Sequence, residues 1–183
     1  MRERWDGLLD ALVRERYGRL AAHATLVCGS SAHANDLVQE SLIATFSSRA
    51  RFESLDQAEA YVRRAIASRA IDESRRRARE SRTMARFVAL PAAVPCLDNL
   101  VGADVLAALA QLGPRQRACV VLRQLEDLSV AATAATLGLS EGAVKRYTAD
   151  GLARLASLLA TSAQLAERAT VVRVSTREVR NER

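Results

Sequence analysis

Residues 130–151, VAATAATLGLSEGAVKRYTADG, leave a chain like this few folds to choose from. Ala134 is small where two helices must cross closely, and Gly138 supplies the left-handed residue that a tight turn between them needs. Leu137, Leu139 and Val144 can plug the joint from both sides. Ser140 is placed to cap the following helix, with Glu141 favourable in its first turn. Two short helices joined in this way form a helix-turn-helix, whose second helix commonly enters the DNA major groove. The exposed positions early in that helix are Glu141, Lys145, Arg146 and Ala149. A plain helical hairpin with two solvated charges is the alternative reading.

The rest of the chain also reads as helix. Apolar residues make up 49% of the 183, but aromatics only 4%, so alanine and leucine must supply most of the packing. Residues 5–28 carry a stripe at Leu8, Leu9, Leu12, Val13, Tyr17, Leu20, Ala21 and Ala24. GSS at 29–31 breaks it, and Ser31 is placed to cap a second helix ending near Phe46. A third is expected to begin near Ala58 and run to Arg86. FVALPAAVPCLDNLVG, residues 87–102, holds two of the three prolines and reads as an extended linker. Beyond it, DVLAALAQLG and PRQRACVVLRQLED precede the helix-turn-helix. The expected fold is all-α: two small helical domains, 5–86 and 103–160, with a tail at 161–183 whose pattern fits frayed helix or disorder.

Charge is unevenly spread. Of the net +6, residues 61–86 account for all of it, with nine basic and three acidic side chains. All basic residues but Lys145 are arginine, a bias that a GC-rich genome also produces. On a continuous third helix, Arg64, Ser68, Arg75, Arg79, Arg82 and Arg86 lie within about 60° of one another, while Val62, Ala65, Ile66 and Ala70 can face a core. A localised basic face suggests a polyanion site, and a solvated surface is its plainer alternative. On the second helix, Val38, Leu42 and Thr45 fall on one side and Asp36, Gln39, Glu40 and Ile43 on the other. An acidic patch with an exposed isoleucine, in a basic protein, is either a solvated face or a surface for protein.

Other chemistry is poorly supported. Cys28, Cys96 and Cys119 lack CxxC spacing and read as reduced core thiols. His23, Cys28 and His33 are five residues apart, which turns each about 140° from the last on a helix, so no metal site is expected. No paired carboxylates, nucleophile–base set or phosphate-binding glycine loop points to an enzyme, and no cofactor is implied. No apolar run reaches membrane length, and MRERWDGLLDALV lacks a signal-peptide core, so a cytoplasmic protein is expected.

DLVQE at 36–40, AYVRRAIASRAIDESRRR, LPAAVP and LGPRQRACVVLRQLEDLSVAATAATLGLSEGAVKRY together resemble a bacterial RNA polymerase sigma factor of the extracytoplasmic-function (ECF) group, over about residues 6–160. The resemblance makes the first domain sigma region 2 and the second sigma region 4. It implies binding to core RNA polymerase and promoter DNA for recognition and melting at transcription initiation. Asp36, Gln39, Glu40 and Ile43 then correspond to the face docking on the β′ clamp helices. Phe52, Glu53 and Ser54 match the loop that captures a base flipped from the minus-ten element, and Tyr61 an aromatic at the melted junction. Arg63, Arg64, Ser68, Arg69, Arg75 and Arg76 match the helix gripping that DNA.

Lys145, Arg146 and Ala149 match positions reading the minus-thirty-five element, with Ser140, Gly142 and Ala143 near phosphates. Arg115 and Arg117 match a basic turn expected to meet phosphate or the β flap. The resemblance also implies that an anti-sigma factor is a common partner. Ser68 replaces a frequent asparagine, and Asp150 stands where a basic residue is common. The rival reading is a stand-alone helix-turn-helix regulator, which leaves DLVQE and the linker unexplained.

Overall fold

The computed structural model describes residues 2–48, 51–80 and 102–181. Arg82, Arg86, Cys96 and the linker up to residue 101 lie outside the described residues. Seven α-helices are described: α1 (Arg2–Cys28), α2 (Ser31–Ser47), α3 (Leu55–Glu80), α4 (Ala103–Ala110), α5 (Pro114–Val120), α6 (Val130–Leu137) and α7 (Glu141–Asn181). No strand occurs among the described residues.

In the first half, α1, α2 and α3 pack on one another. Each contributes a buried stripe at helical spacing: Leu12, Leu20, Ala24 and Val27 from α1, Val38 and Leu42 with the polar Thr45 from α2, Val62, Ile66 and Ile71 from α3. Val13, expected in the α1 stripe, is 43% exposed, because three- and four-residue steps already fill the face that α2 and α3 cover. Ser31 is not the cap of α2. It is the first helical residue, with Ser30 at the N-cap and the Ser30 hydroxyl 3.1 Å from His33 Nδ1.

The third helix starts at Leu55 rather than near Ala58. Ser54 and Gln57 act as a reciprocal cap: Gln57 N donates to Ser54 Oγ at 3.2 Å, and Glu53 N donates to Gln57 Oε1 at 2.7 Å.

In the second half, α7 packs against α4, α5 and α6. Pro114 opens α5 at its first position, where its missing N–H costs nothing, and Gly113 N donates to Gln116 Oε1 at 3.2 Å. The helix then widens into one π turn, Val121–Leu125, and Asp127 adopts a left-handed φ of 48°. Gly138 is left-handed at φ 60°, with its N–H bonded to Ala134 O. Ser140 Oγ accepts from Ala143 N at 3.2 Å, and Val144 is fully buried, as the sequence pattern requires. At 41 residues, α7 runs about 60 Å and carries the tail on as helix to Asn181.

The two halves also share one buried cluster. Helices α1 and α3 meet α5, α3 meets α6, and α1 meets α4.

Candidate nucleic-acid and protein interfaces

The outward face of α2 forms as its periodicity predicts. Asp36, Gln39, Glu40 and Ile43 are all exposed, while Leu37, Val38, Ser41 and Leu42 beneath them are buried. Ile43 is 67% exposed, the largest value among the exposed large hydrophobics of the described residues. An aliphatic side chain ringed by two acids and an amide suits a protein surface bearing a cation beside an apolar groove.

At the start of α3, aromatic side chains that sequence spacing treats separately come together. The Phe52 ring lies 6.0 Å from Phe46 and 5.2 Å from Tyr61, both tilted. Tyr61 is 42% exposed. In a chain with only three Phe, three Tyr and one Trp, this is a substantial stacking surface. The cap through Ser54 and Gln57 fixes the backbone beside Phe52, with Glu53 and Ser54 exposed next to it.

The basic helix is less free than its sequence implies. Arg64 is exposed and Ser68 and Arg69 are half-buried. Arg75 pairs with Asp72 at 3.2 Å, Arg76 with Glu73 at 2.7 Å, and Arg77 with Glu73 at 2.9 Å. Such exposed pairs contribute only about 0–1 kcal/mol, so a phosphate can displace the carboxylate. Arg63 differs. It donates to Glu59 at 2.7 Å and to Glu126, in the other half, at 2.6 Å. Glu59, only 6% exposed, also lies near Arg16 and Arg19.

Ser140, which caps α7, is exposed, as are Gly142, Lys145, Arg146 and Ala149 on the helix, and Ala143 is half-buried at its start. Asp150 is exposed too. Tyr147, which sequence reasoning passed over, organises the basic residues around it. Arg115 Nη1 donates to Tyr147 Oη at 3.3 Å, and the Arg146 guanidinium lies 5.2 Å from the ring centroid. The hydrogen bond from Arg115 draws the phenol below its ordinary pKa, helped by Arg146.

Arg117 does not join Arg115. Two residues apart on a helix point about 200° from each other, and Arg117 turns inward, 7% exposed, against the end of α1. It is therefore not available here for the phosphate or flap contact expected of it.

Residues 12–80 match the Sigma-70 region 2 family and residues 103–155 match Sigma-70, region 4. The chain is 34% identical over 149 residues to the RNA polymerase sigma-E factor of Streptomyces coelicolor, covering 80% of this chain and 82% of that protein. It is 30% identical over 150 residues to the ECF RNA polymerase sigma factor SigM of Mycobacterium tuberculosis, covering 82% and 76%. Among solved structures, the sigma factor RpoE of Bartonella quintana, crystallised in complex with the anti-sigma factor NepR, has the same fold at a TM-score of 0.59 and 24% identity, over 86% of this chain and 95% of that one. Two sigma regions in order on an all-α chain, with relatives matched along most of their length, place this protein among the ECF sigma factors of bacterial RNA polymerase.

Proposed function

We propose that this sigma factor engages core polymerase through the α2 face and the promoter through α3 and α7, with domains at 5–86 and 103–160. The observation that carries this is the simultaneous exposure of an acidic–aliphatic face on α2 and a basic, aromatic-backed face at the start of α7. Asp36, Gln39 and Glu40 supply polar contacts to the β′ clamp helices, and Ile43 packs beside them. Phe52 and Tyr61 offer ring faces to an unpaired minus-ten base, with Glu53 and Ser54 at the pocket edge. Unstacking costs a few kcal/mol, and stacking on the protein offsets it. Arg63, Arg64, Ser68, Arg69, Arg75 and Arg76 line the DNA path along α3.

Lys145, Arg146 and Ala149 reach base edges of the minus-thirty-five element, while Ser140, Gly142 and Ala143 approach phosphates at the positive end of α7. Arg115 meets phosphate or the β flap. The protein works by binding alone, in the cytoplasm, and an anti-sigma factor comparable to the partner of the Bartonella protein masks these faces when the regulon is silent. Each DNA element alone is bound weakly, and tethering the two raises their effective concentration. Run-off transcription with core polymerase on a genomic fragment library tests the whole reading. Initiation from discrete sites sharing two spaced elements supports it, and initiation no more selective than core alone overturns it.

A further inference from the structure

Asp150 is an exposed acid on α7 whose neighbouring exposed charges, Lys145, Arg146 and Arg154, are all basic. An acid so placed commonly pairs with a base one helical turn away, and two are available: Arg146 four residues before it and Arg154 four residues after. It pairs with neither. Among the described residues the Asp150 carboxylate makes no ion pair or hydrogen bond. The Arg146 guanidinium lies instead 5.2 Å from the centroid of the Tyr147 ring, and the Tyr147 hydroxyl accepts from Arg115 at 3.3 Å. Tyr147 thus gathers two arginines and leaves the Asp150 carboxylate open.

Nor does this acid face away from the surface that carries the basic residues. Val144 and Gly151 mark the buried side of α7. At 100° per residue, the direction opposite them falls between Ala149 and Arg146, and Lys145 and Asp150 lie about 70° to either side of it. The four residues form one outward strip, with Lys145 on one border and Asp150 on the other. Asp150 stands about 7.5 Å further along the helix axis than Lys145, roughly two base-pair steps of 3.4 Å.

A carboxylate accepts hydrogen bonds and donates none, so phosphates repel it. In the major groove guanine presents only acceptors, and thymine an acceptor and a methyl group. What remains is an exocyclic amino group, on adenine or cytosine. Adenine sets its N7 acceptor beside that amino group, where it opposes the second carboxylate oxygen, whereas the cytosine edge carries the N4 donor and no acceptor of its own. We infer that Asp150 is a specificity-determining residue for the upstream promoter element, accepting a hydrogen bond from N4 of a cytosine about two base pairs from the pair that Lys145 reads. The inference rests on α7 being the helix that enters the major groove.

Its test uses holoenzyme assembled from the full chain and core polymerase. A promoter recovered from genomic fragments is varied one base pair at a time through its upstream element, and run-off transcription reads the preference at each pair. Wild type should favour cytosine at one pair by about five- to 150-fold. Asp150→Ala should flatten the preference at that pair alone. Asp150→Asn should move it to adenine, whose N6 and N7 an amide meets together, and Asp150→Arg should move it to guanine. Lys145→Ala should relax a different pair. Should the Asp150 variants change transcription equally on every sequence while Lys145→Ala still acts at its own pair, the carboxylate merely repels phosphate and the inference is overturned. A wild-type preference for a base other than cytosine at the pair these variants affect overturns it too. If neither Lys145→Ala nor any Asp150 variant alters preference at any upstream pair, the assignment of α7 to the upstream element fails, and the inference fails with it.

Discussion

Arg63 and Glu126 lie 63 residues apart in the chain and meet at 2.6 Å across the two halves. Burial alone would raise the Glu126 carboxyl, but its contacts with His23 and Arg63 outweigh that and hold it at about 2, against an ordinary 4.5. Burial acts to lower Arg63 in turn, and Glu126 and Glu59 outweigh it and raise it, so both partners report one attraction. A carboxyl depressed in the folded state stabilises that state above its unfolded pKa, and the contribution fades as pH falls towards the folded value. The groups facing it are His23 on α1 and Arg63 on α3, with Glu59 beyond Arg63. The stability gap between wild type and Glu126→Gln should therefore be full at neutral pH, at most about 3 kcal/mol, and shrink between about pH 4.5 and 2. Denaturant unfolding of both proteins across that range measures it, and a gap independent of pH would show that the carboxylate charge is not what Arg63 holds.

Gly138 offers a prediction with one cause. Its φ of 60° suits glycine, and a Cβ there would meet nothing within 4 Å. Gly138→Ala should thus cost about 1 kcal/mol from backbone strain alone. Gly138→Asn should cost less, since asparagine tolerates the left-handed region. Equal losses for the two, by chemical denaturation, would point to a packing effect instead.

Much of this architecture is written locally. The 3.6-residue period of α2 assigns Val38 and Leu42 inward and Asp36, Glu40 and Ile43 outward without reference to any neighbour. The turn at Gly138 and the cap at Ser140 are equally local. The pattern S-x-x-Q at Ser54–Gln57 is a capping signature too, and it moves the start of α3 ahead of Ala58. Arg115 and Arg117 could have been separated by helix geometry alone.

What the sequence does not carry is partner choice across the halves. Glu126 is one acid among 21, and nothing in the spacing of Arg63, His23 and Glu126 announces that they meet. Nor does any residue pattern flag the π turn that aims Glu126. These depend on how α5 settles onto α1 and α3, a balance of many small contacts.

The α2 face yields a test of polymerase binding separable from folding. Asp36 and Glu40 are exposed, and surface changes of this kind alter stability by about 0.5 kcal/mol or less. Asp36→Arg combined with Glu40→Arg should keep the thermal midpoint close to wild type and abolish co-purification with core polymerase. Assembly at wild-type strength would remove this face from the interface.

Tyr147 and Lys145 should fail in different ways. Lys145 is exposed near the start of α7, and a side chain that reads a base edge discriminates by about 1–3 kcal/mol. Lys145→Ala should therefore relax preference at one or two base pairs of the upstream element while leaving polymerase binding intact. Tyr147 contributes its hydroxyl to Arg115 and its ring to Arg146, so Tyr147→Phe removes the first and keeps the second. The lost hydrogen bond is worth about 1 kcal/mol or less, and it frees an arginine placed for phosphate. Binding should weaken uniformly over all sequences. A set of single-substitution duplexes titrated against holoenzyme at several salt concentrations distinguishes the two. A uniform loss with Lys145→Ala would make it a phosphate contact, and a position-specific loss with Tyr147→Phe would make Arg115 or Arg146 a base reader held in register by the phenol.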